Sequence, residues 1–316
     1  MHPTHWDLII QALRARRCVP FLGAGVNVSN GEYRGLPLGG EVAIRLLERL
    51  LGTPTPDIDK LMREIRHLVE AAPRPLREQY KDLVRLRLHD LARVSLHVQF
   101  TGDNEYLMSL LRSILPDEQC EPSRLLHTLA RLPLELLVTT NYDRLMERAL
   151  EHAGKRPLVV APPRTSKEQA ALQEELVRHS GPVLYKIHGS FGDQVIPRGP
   201  RGEPPPVIIS EEDYIEFLTL APVRSHAVPR QIEEKLTRGV LLFLGYGLED
   251  WDFRTIYKGI VEKLSFDMRR RSFAIQKSPS QFWVDFWASK RVTIYDIDLY
   301  EFAAQLEERY AAASEV

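Results

Sequence analysis

Five apolar runs in this chain empty into residues that can do chemistry, and the residue types differ from one run to the next. Val19-Pro20-Phe21-Leu22 leads into Gly23-Ala24-Gly25-Val26-Asn27. Glycine at a strand end permits positive φ and lets main-chain amides approach a phosphate without a side chain in the way. The usual third glycine is missing and no helix pattern starts at once, so a plain turn is the competing reading. Leu137-Val138-Thr139 leads into Thr140-Asn141-Tyr142-Asp143. Asp143 falls in the first turn of a helical pattern, where Thr, Asn and Asp also serve as N-caps. Capping explains Asn141, one step nearer the strand, less well. Val183-Leu184-Tyr185-Lys186-Ile187 ends in His188-Gly189-Ser190. The imidazole can accept a proton near neutral pH, or it can be structural. Leu242-Phe243-Leu244 opens into Gly245-Tyr246-Gly247 and then Glu249-Asp250-Trp251-Asp252. The acids suit a helix start, and the paired glycines suit close approach of backbone to a ligand. Last, Val292-Thr293-Ile294-Tyr295 ends in Asp296-Ile297-Asp298, carboxylates suited to ribose or adenine contacts or to plain solvation.

Residues so placed need strands beneath them. Short apolar runs alternate with stretches of helical period, the pattern of a mostly parallel sheet with helices on both faces. Strands are expected at 18–22, 134–139, 182–187, 240–244, 271–275 and 292–295, with weaker ones at 157–161 and 207–209. Helices are expected at 39–51, 143–152, 167–178, 210–219, 251–264 and 299–311, after a short amphipathic one at the N-terminus. Pro20 inside the first strand favours unpaired early residues there. Between the first two strands, helical patterns at 57–70, 76–93, 105–114 and 122–131 predict a helical insertion module over 53–131. The sheet domain then comprises 1–52 and 132–316. The Pro- and Gly-rich stretch 192–206 reads as a mobile loop.

Composition narrows the classes. The chain has 316 residues, 44% hydrophobic, with 42 basic against 43 acidic side chains and a net charge of −1. That balance provides no global pull toward nucleic acid or an acidic membrane. The Arg-rich stretch 63–93 reads as solvated helix faces. Two distant cysteines, Cys18 and Cys120, exclude a thiolate zinc site and fit a reduced, cytoplasmic setting. No signal peptide or bilayer-length apolar run is found.

In order, Gly23-Ala24-Gly25, Thr140-Asn141-Tyr142-Asp143, His188-Gly189 and Gly245-Tyr246-Gly247-Leu248 resemble the sirtuin superfamily, and more closely its bacterial, defence-associated branch. Leu36-Pro37, Ile209-Ser210-Glu211-Glu212-Asp213-Tyr214 and Gly247-Leu248-Glu249-Asp250-Trp251-Asp252 are further matches to that branch. The resemblance implies a Rossmann-like α/β fold that binds NAD as substrate. It implies that Gly23, Ala24, Gly25 and nearby amides hold the pyrophosphate, with Asn27 where the family often has Ser. Asn141 would bond the nicotinamide-ribose side or position a water, and His188 would contact ribose hydroxyls and act as general base. Asp143 would hold the carboxamide, Gly247 would approach the adenine-side ribose, Thr140 and Gly245 would be among the cofactor-binding residues, and Asp298 would read the adenine end. Thr140 stands where deacylating sirtuins have Gln, and the four cysteines of their zinc ribbon are lacking.

These features imply an NAD glycohydrolase, with water attacking the ribose carbon and no metal required. The resemblance further implies an antiviral defence effector, gated by homo-oligomerisation or by a HerA-like ATPase or short Argonaute-type partner, with no direct contact to nucleic acid or membrane. Alternative readings are a non-catalytic NAD- or ADP-ribose-binding regulatory subunit, and a zinc-free deacylase or ADP-ribosyltransferase.

Overall fold

The computed structural model describes residues 1–29, 34–51, 90–192, 194–198, 207–223, 228–258 and 272–314. Seven strands form one sheet: β1 (Cys18–Leu22), β2 (Leu136–Thr139), β3 (Leu158–Val160), β4 (Val183–Lys186), β5 (Val240–Leu244), β6 (Ser272–Ile275) and β7 (Val292–Tyr295). Their order is β3-β4-β2-β1-β5-β6-β7, and every neighbouring pair is parallel. β1, β2, β4, β5 and β6 are buried at every residue, which is why they read as unbroken apolar runs. The edge strand β7 alternates buried with half-buried positions.

Strand order decides where a ligand can sit. From β1 the sheet grows through β2, β4 and β3, and the chain then returns to lay β5 on the other side of β1. Open parallel sheets bind ligands outside the carboxyl ends of their strands at such a reversal. Pro20 fits its strand as expected on one flank: β5 pairs with β1 over its whole length, but β2 pairs only with Phe21 and Leu22.

Side-chain alternation separates the two faces of the sheet. Val19, Phe21, Val138, Tyr185 and Phe243 join one core cluster with Leu172 of α7 (Ser166–Arg178), Ile232 and Leu236 of α9 (Arg230–Arg238) and Trp287 of α11 (Gln281–Ser289). The opposite face belongs to α1 (Pro3–Arg14), α5 (Arg124–Arg131), α6 (Leu145–His152) and α12 (Leu299–Ser314). Trp6 of α1 stacks on Phe302 of α12 with centroids 5.3 Å apart. Leu22, Thr139 and Lys186 fall outside the first cluster, on the strand phase opposite to Phe21, Val138 and Tyr185.

Several elements differ from the sequence expectation. Residues 207–209 are not a strand; they lead into α8 (Glu211–Val223), where Ser210 and Asp213 form a reciprocal capping pair. Helices α9 and α11 were absent from the expected set, because Pro229 and Ser280 are weaker start signals than a Ser-x-x-Glu box. A 3-10 turn does start directly after β1, at Ala24–Asn27. Part of the expected loop is ordered against the sheet edge: Ile196 bridges Val160 in parallel, and Val195 packs on Val159 and Ala161. The expected helix 57–70, most of 76–93 and most of the Arg-rich stretch lie outside the described residues. So does the distal part of the expected helix 251–264, of which α10 (Trp251–Ile256) is described.

The chain divides into two compact units, Met1–Gly35 with Asp117–Val207 and Phe217–Val316, and Leu36–Pro116 with Ile208–Glu216. The first holds the whole sheet. In the second, α2 (Gly39–Leu51), α3 (Leu91–Thr101) and α4 (Asn104–Ile114) pack on one another. Asp90 and Asp103 cap α3 and α4 by accepting from main-chain amides. Among the described residues no helix is long and apolar enough to cross a membrane.

Candidate functional site

At the carboxyl edge of β1 and β5, two glycine loops close on each other. The Gly23 amide donates to the Leu244 carbonyl and the Gly25 amide to the Gly245 carbonyl, each at 2.9 Å. A Cβ on Gly23 would lie 2.6 Å from the Gly245 carbonyl oxygen, and one on Gly245 would lie 2.5 Å from the Val26 amide. Gly245 also has φ +74°, a conformation that side chains strain to adopt. Here glycine serves loop-to-loop contact, and the amides of Gly23 and Gly25 are committed to it. Ala24 begins the 3-10 turn that carries Asn27 inward. Gly247 belongs to a local turn, its carbonyl accepting from the Asp250 amide at 2.9 Å.

The carboxyl edge of β2 is polar and buried. Thr139 Oγ1 donates to the Leu22 carbonyl at 2.9 Å and accepts the Asn141 amide at 3.0 Å. Asn141 Nδ2 donates to the Gly23 carbonyl at 3.1 Å, tying the β2 tip to the glycine loop. Asn27, 3% exposed, donates through Nδ2 to Asp143 Oδ2 at 2.7 Å. The other carboxylate oxygen of Asp143 accepts the Leu145 amide at 2.9 Å, so Asp143 satisfies the first amide of α6 from just outside the helix, whose N-cap is Arg144, while facing Asn27. Burial pushes the Asp143 carboxyl up to about 6, partly offset by the Lys186 ammonium and the Leu145 hydrogen bond.

Asn27, Thr139, Asn141, Asp143 and Glu147 border one small cleft, floored by Leu22, Val26, Leu126 and Met146. Asn27 Oδ1 and Glu147 Oε2 are buried and have no hydrogen-bond partner among the described residues. Such an atom costs about 1–3 kcal/mol unless a ligand or water satisfies it.

His188 follows β4, two residues beyond the Thr139–Lys186 register pair, as Asn141 follows β2. It is 3% exposed and its ring lies 6.4 Å from that of Tyr142. Burial lowers its pKa to about 3. The imidazole is therefore neutral at physiological pH and a weaker base than the sequence expectation assumed. It does not border the cleft described above.

Thr140 Oγ1 meets Tyr246 Oη at 3.4 Å, and Tyr246 Oη donates to the Leu22 carbonyl at 3.0 Å. Tyr246 thus ties the tips of β1, β2 and β5, a role that sequence reasoning missed. Asp298 stands apart from this group. It follows β7, three strands from β1 in the sheet order. Its carboxylate accepts the Tyr300 amide at 2.8 Å, capping α12. Sequence reasoning also missed Lys186 and Glu147, a fully buried ion pair at 2.7 Å. The signal was available as one lysine inside an otherwise apolar strand. Among the described residues no cluster of three His, Cys, Asp or Glu side chains is placed to hold a metal ion.

Two curated proteins share sequence with this chain. An NAD(+) hydrolase ThsA of Bacillus cereus (strain MSX-D12) is 25% identical over 216 residues, covering 66% of this chain and 41% of that protein. An NAD(+) hydrolase ThsA of Enterococcus faecium is 26% identical over 196 residues, covering 61% and 37%. The chain therefore spans about two fifths of the length of these relatives. Among solved structures, a Sir2 variant with a deacetylated p53 peptide and 3'-O-acetyl ADP ribose aligns with a TM-score of 0.39 at 15% identity, over 96% of this chain and 97% of that one. A Sir2 homolog–NAD complex aligns with a TM-score of 0.44 at 13% identity, over 96% and 94%. The family description "SIR2-like domain" matches residues 135–295, from just before β2 to the end of β7 and just over half of the chain, and on that match the chain belongs to the SIR2-like domain family.

Proposed function

We propose that this chain hydrolyses NAD, breaking the bond between nicotinamide and ribose. The observation that carries the reading is the cleft at the β1/β2 carboxyl edge, where Asn27, Asn141 and Asp143 converge and a buried amide oxygen stands unsatisfied. A carboxamide N–H supplies the missing donor for Asn27 Oδ1, and the Asp143 carboxyl is the neighbouring partner for the same group. The name shared by the two relatives supports the same substrate. The committed Gly23 and Gly25 amides do not supply a pyrophosphate cradle as they stand, so phosphate contacts fall to other groups or to a separated pair of loops.

The reaction asks little of the protein beyond placement, because a cationic pyridinium is already a good leaving group. Asn141, anchored through Nδ2 to Gly23, keeps its amide oxygen to orient a water. A neutral His188 accepts a hydrogen bond from a ribose hydroxyl more readily than it removes a proton. Orientation, rather than a strong base, is then the main source of rate. A role as a defence effector, gated by self-association or by an ATPase or Argonaute-type partner, belongs to the same proposal and rests on the resemblance of the motifs.

The test is direct. The full chain, alone and with proteins co-purified from its native operon, is incubated with NAD, and nicotinamide and ADP-ribose are quantified by chromatography. Asn141→Ala and His188→Ala should each stop release. Full turnover in both variants removes the mechanism. Tight binding of NAD that stays intact in every assembly favours a regulatory binding subunit instead.

A further inference from the structure

Lys186 ends β4, and its side chain is completely buried. Its ammonium donates to Glu147 Oε1 of α6 at 2.7 Å, to the main-chain carbonyl of Asp143, and at 3.5 Å to that of Tyr142. Glu147 is 4% exposed, and it borders the cleft that Asn27 and Asp143 share. A buried ion pair is poor evidence for a stabilising role, since desolvating two charges consumes much of the Coulombic gain. This one grips the peptide carbonyls of two consecutive residues at the site, which is a positional task.

We propose that the Lys186–Glu147 pair is a positioning unit for Asp143: it clamps the Tyr142–Asp143 main chain from behind the cleft and so holds the Asp143 carboxyl in its bond to Asn27. The proposal rests on the NAD-hydrolysis reading only for what occupies the cleft. The clamp also acts through charge. The groups facing the Asp143 carboxyl are Lys186 from β4, Glu147 from α6, Asp117 and the Cys120 thiol from the segment before α5, and Asn27 from the turn after β1. Lys186 favours the carboxylate, while Glu147 and Asp117 favour the protonated acid. Burial sets the Asp143 carboxyl at about 6, and Lys186 is the largest influence opposing that rise, with Glu147 adding a smaller push in the direction of burial.

The experiment is an NMR titration of the full chain labelled with 13C at aspartate carboxyls, with Asp143 assigned through Asp143→Asn. The wild type should titrate near 6. Lys186→Met should move that midpoint up by about 1–3 units, the usual effect of losing an adjacent opposite charge, and Glu147→Gln should move it down. The acid limb of the pH profile for nicotinamide release should shift in the same directions. Should Lys186→Met fail to fold, the double variant Lys186→Met/Glu147→Leu replaces the pair with apolar groups and keeps the core filled. It should fold yet lose at least tenfold in kcat. A folded double variant with wild-type kcat and an unmoved Asp143 midpoint overturns the proposal. If the midpoints move as stated while even the wild type leaves NAD intact, the clamp stands and the hydrolase reading falls.

Discussion

The two flanks of β1 are built from opposite materials. Toward β5, backbone meets backbone: Gly23 and Gly25 lie so close to Gly245 that a methyl group on any of them would collide. Toward β2 and β4, the same sheet edge is packed with Asn27, Thr139, Asn141, Asp143, Glu147 and Lys186, bonded to one another or to carbonyls, with two acceptor atoms left over. Glycine motifs are commonly read as ligand contacts, but in this protein they first serve to lock two loops together. The groups whose titration burial perturbs, Asp143 and His188, are on the other flank. Substitutions on the β5 flank should therefore damage the fold, and substitutions on the β2/β4 flank should damage chemistry or its pH dependence.

The largest effect expected under that division is catalytic. Asn141→Ala should reduce nicotinamide release by about 10²-fold or more, the scale of a lost catalytic contact, with a Tm close to wild type; a large fall in Tm would make it a structural residue. Next is Lys186→Met alone. It strands a buried carboxylate and should destabilise by about 3–5 kcal/mol in urea unfolding, whereas the apolar double replacement should recover most of that loss.

His188 gives a pH-dependent contrast. The unfolded chain protonates this imidazole below its ordinary 6.5, but the folded protein resists until about 3. Stability is thus lost as pH falls through that window, at about 1.4 kcal/mol per unit and about 3 kcal/mol by pH 4.5. Asp143 has the opposite sign: its folded value near 6 exceeds the ordinary 3.8, so protonation favours the fold as pH falls between them. Melting curves of His188→Gln against wild type isolate the first term, and the variant should gain on the wild type as pH drops. A constant gap would mean that the imidazole is already protonated in the fold.

On the β5 flank, Gly245→Ala should cost about 1–3 kcal/mol from backbone strain and the clash with Val26, read by denaturant titration. Unaltered stability with weakened NAD binding would restore a ligand role for the loop. The smallest change is Asp298→Ala, which should remove a helix cap worth about 1 kcal/mol. Its KM for NAD should stay at the wild-type level; a raised KM with unchanged Tm would return Asp298 to the adenine end.

Much of this was legible in the linear sequence, for identifiable reasons. Parallel strands buried on both faces produce unbroken apolar runs, so β1, β2, β4, β5 and β6 announce themselves, while the alternating edge strand β7 is legible from its β-branched and aromatic residues. The polar residue that ends each run marks the carboxyl edge, which gives Asn141 and His188 the same kind of position at a strand end; that their strands are neighbours is a property of the folded sheet. The helices α9 and α11 were harder, because nothing in a Pro or Ser start distinguishes them from loop. Val195 and Ile196 belong to a Pro-rich stretch whose composition hides an edge rung.

What the sequence by itself determined is where the seven strands run, although it also offered 207–209 as an eighth, together with the residues at their tips and the want of thiolates for a zinc ribbon, because each follows from local pattern or from counting. Only the tertiary structure decided which tips meet. It joined Asn27 to Asp143 across 116 positions, buried Lys186 against Glu147, and turned the glycine loops on each other. It also left Asp298 as a cap at the sheet edge. The physical reason is that hydrogen-bond partners, burial and the resulting shifts in charge depend on strand order, and strand order is a property of long-range packing that no local window of residues contains.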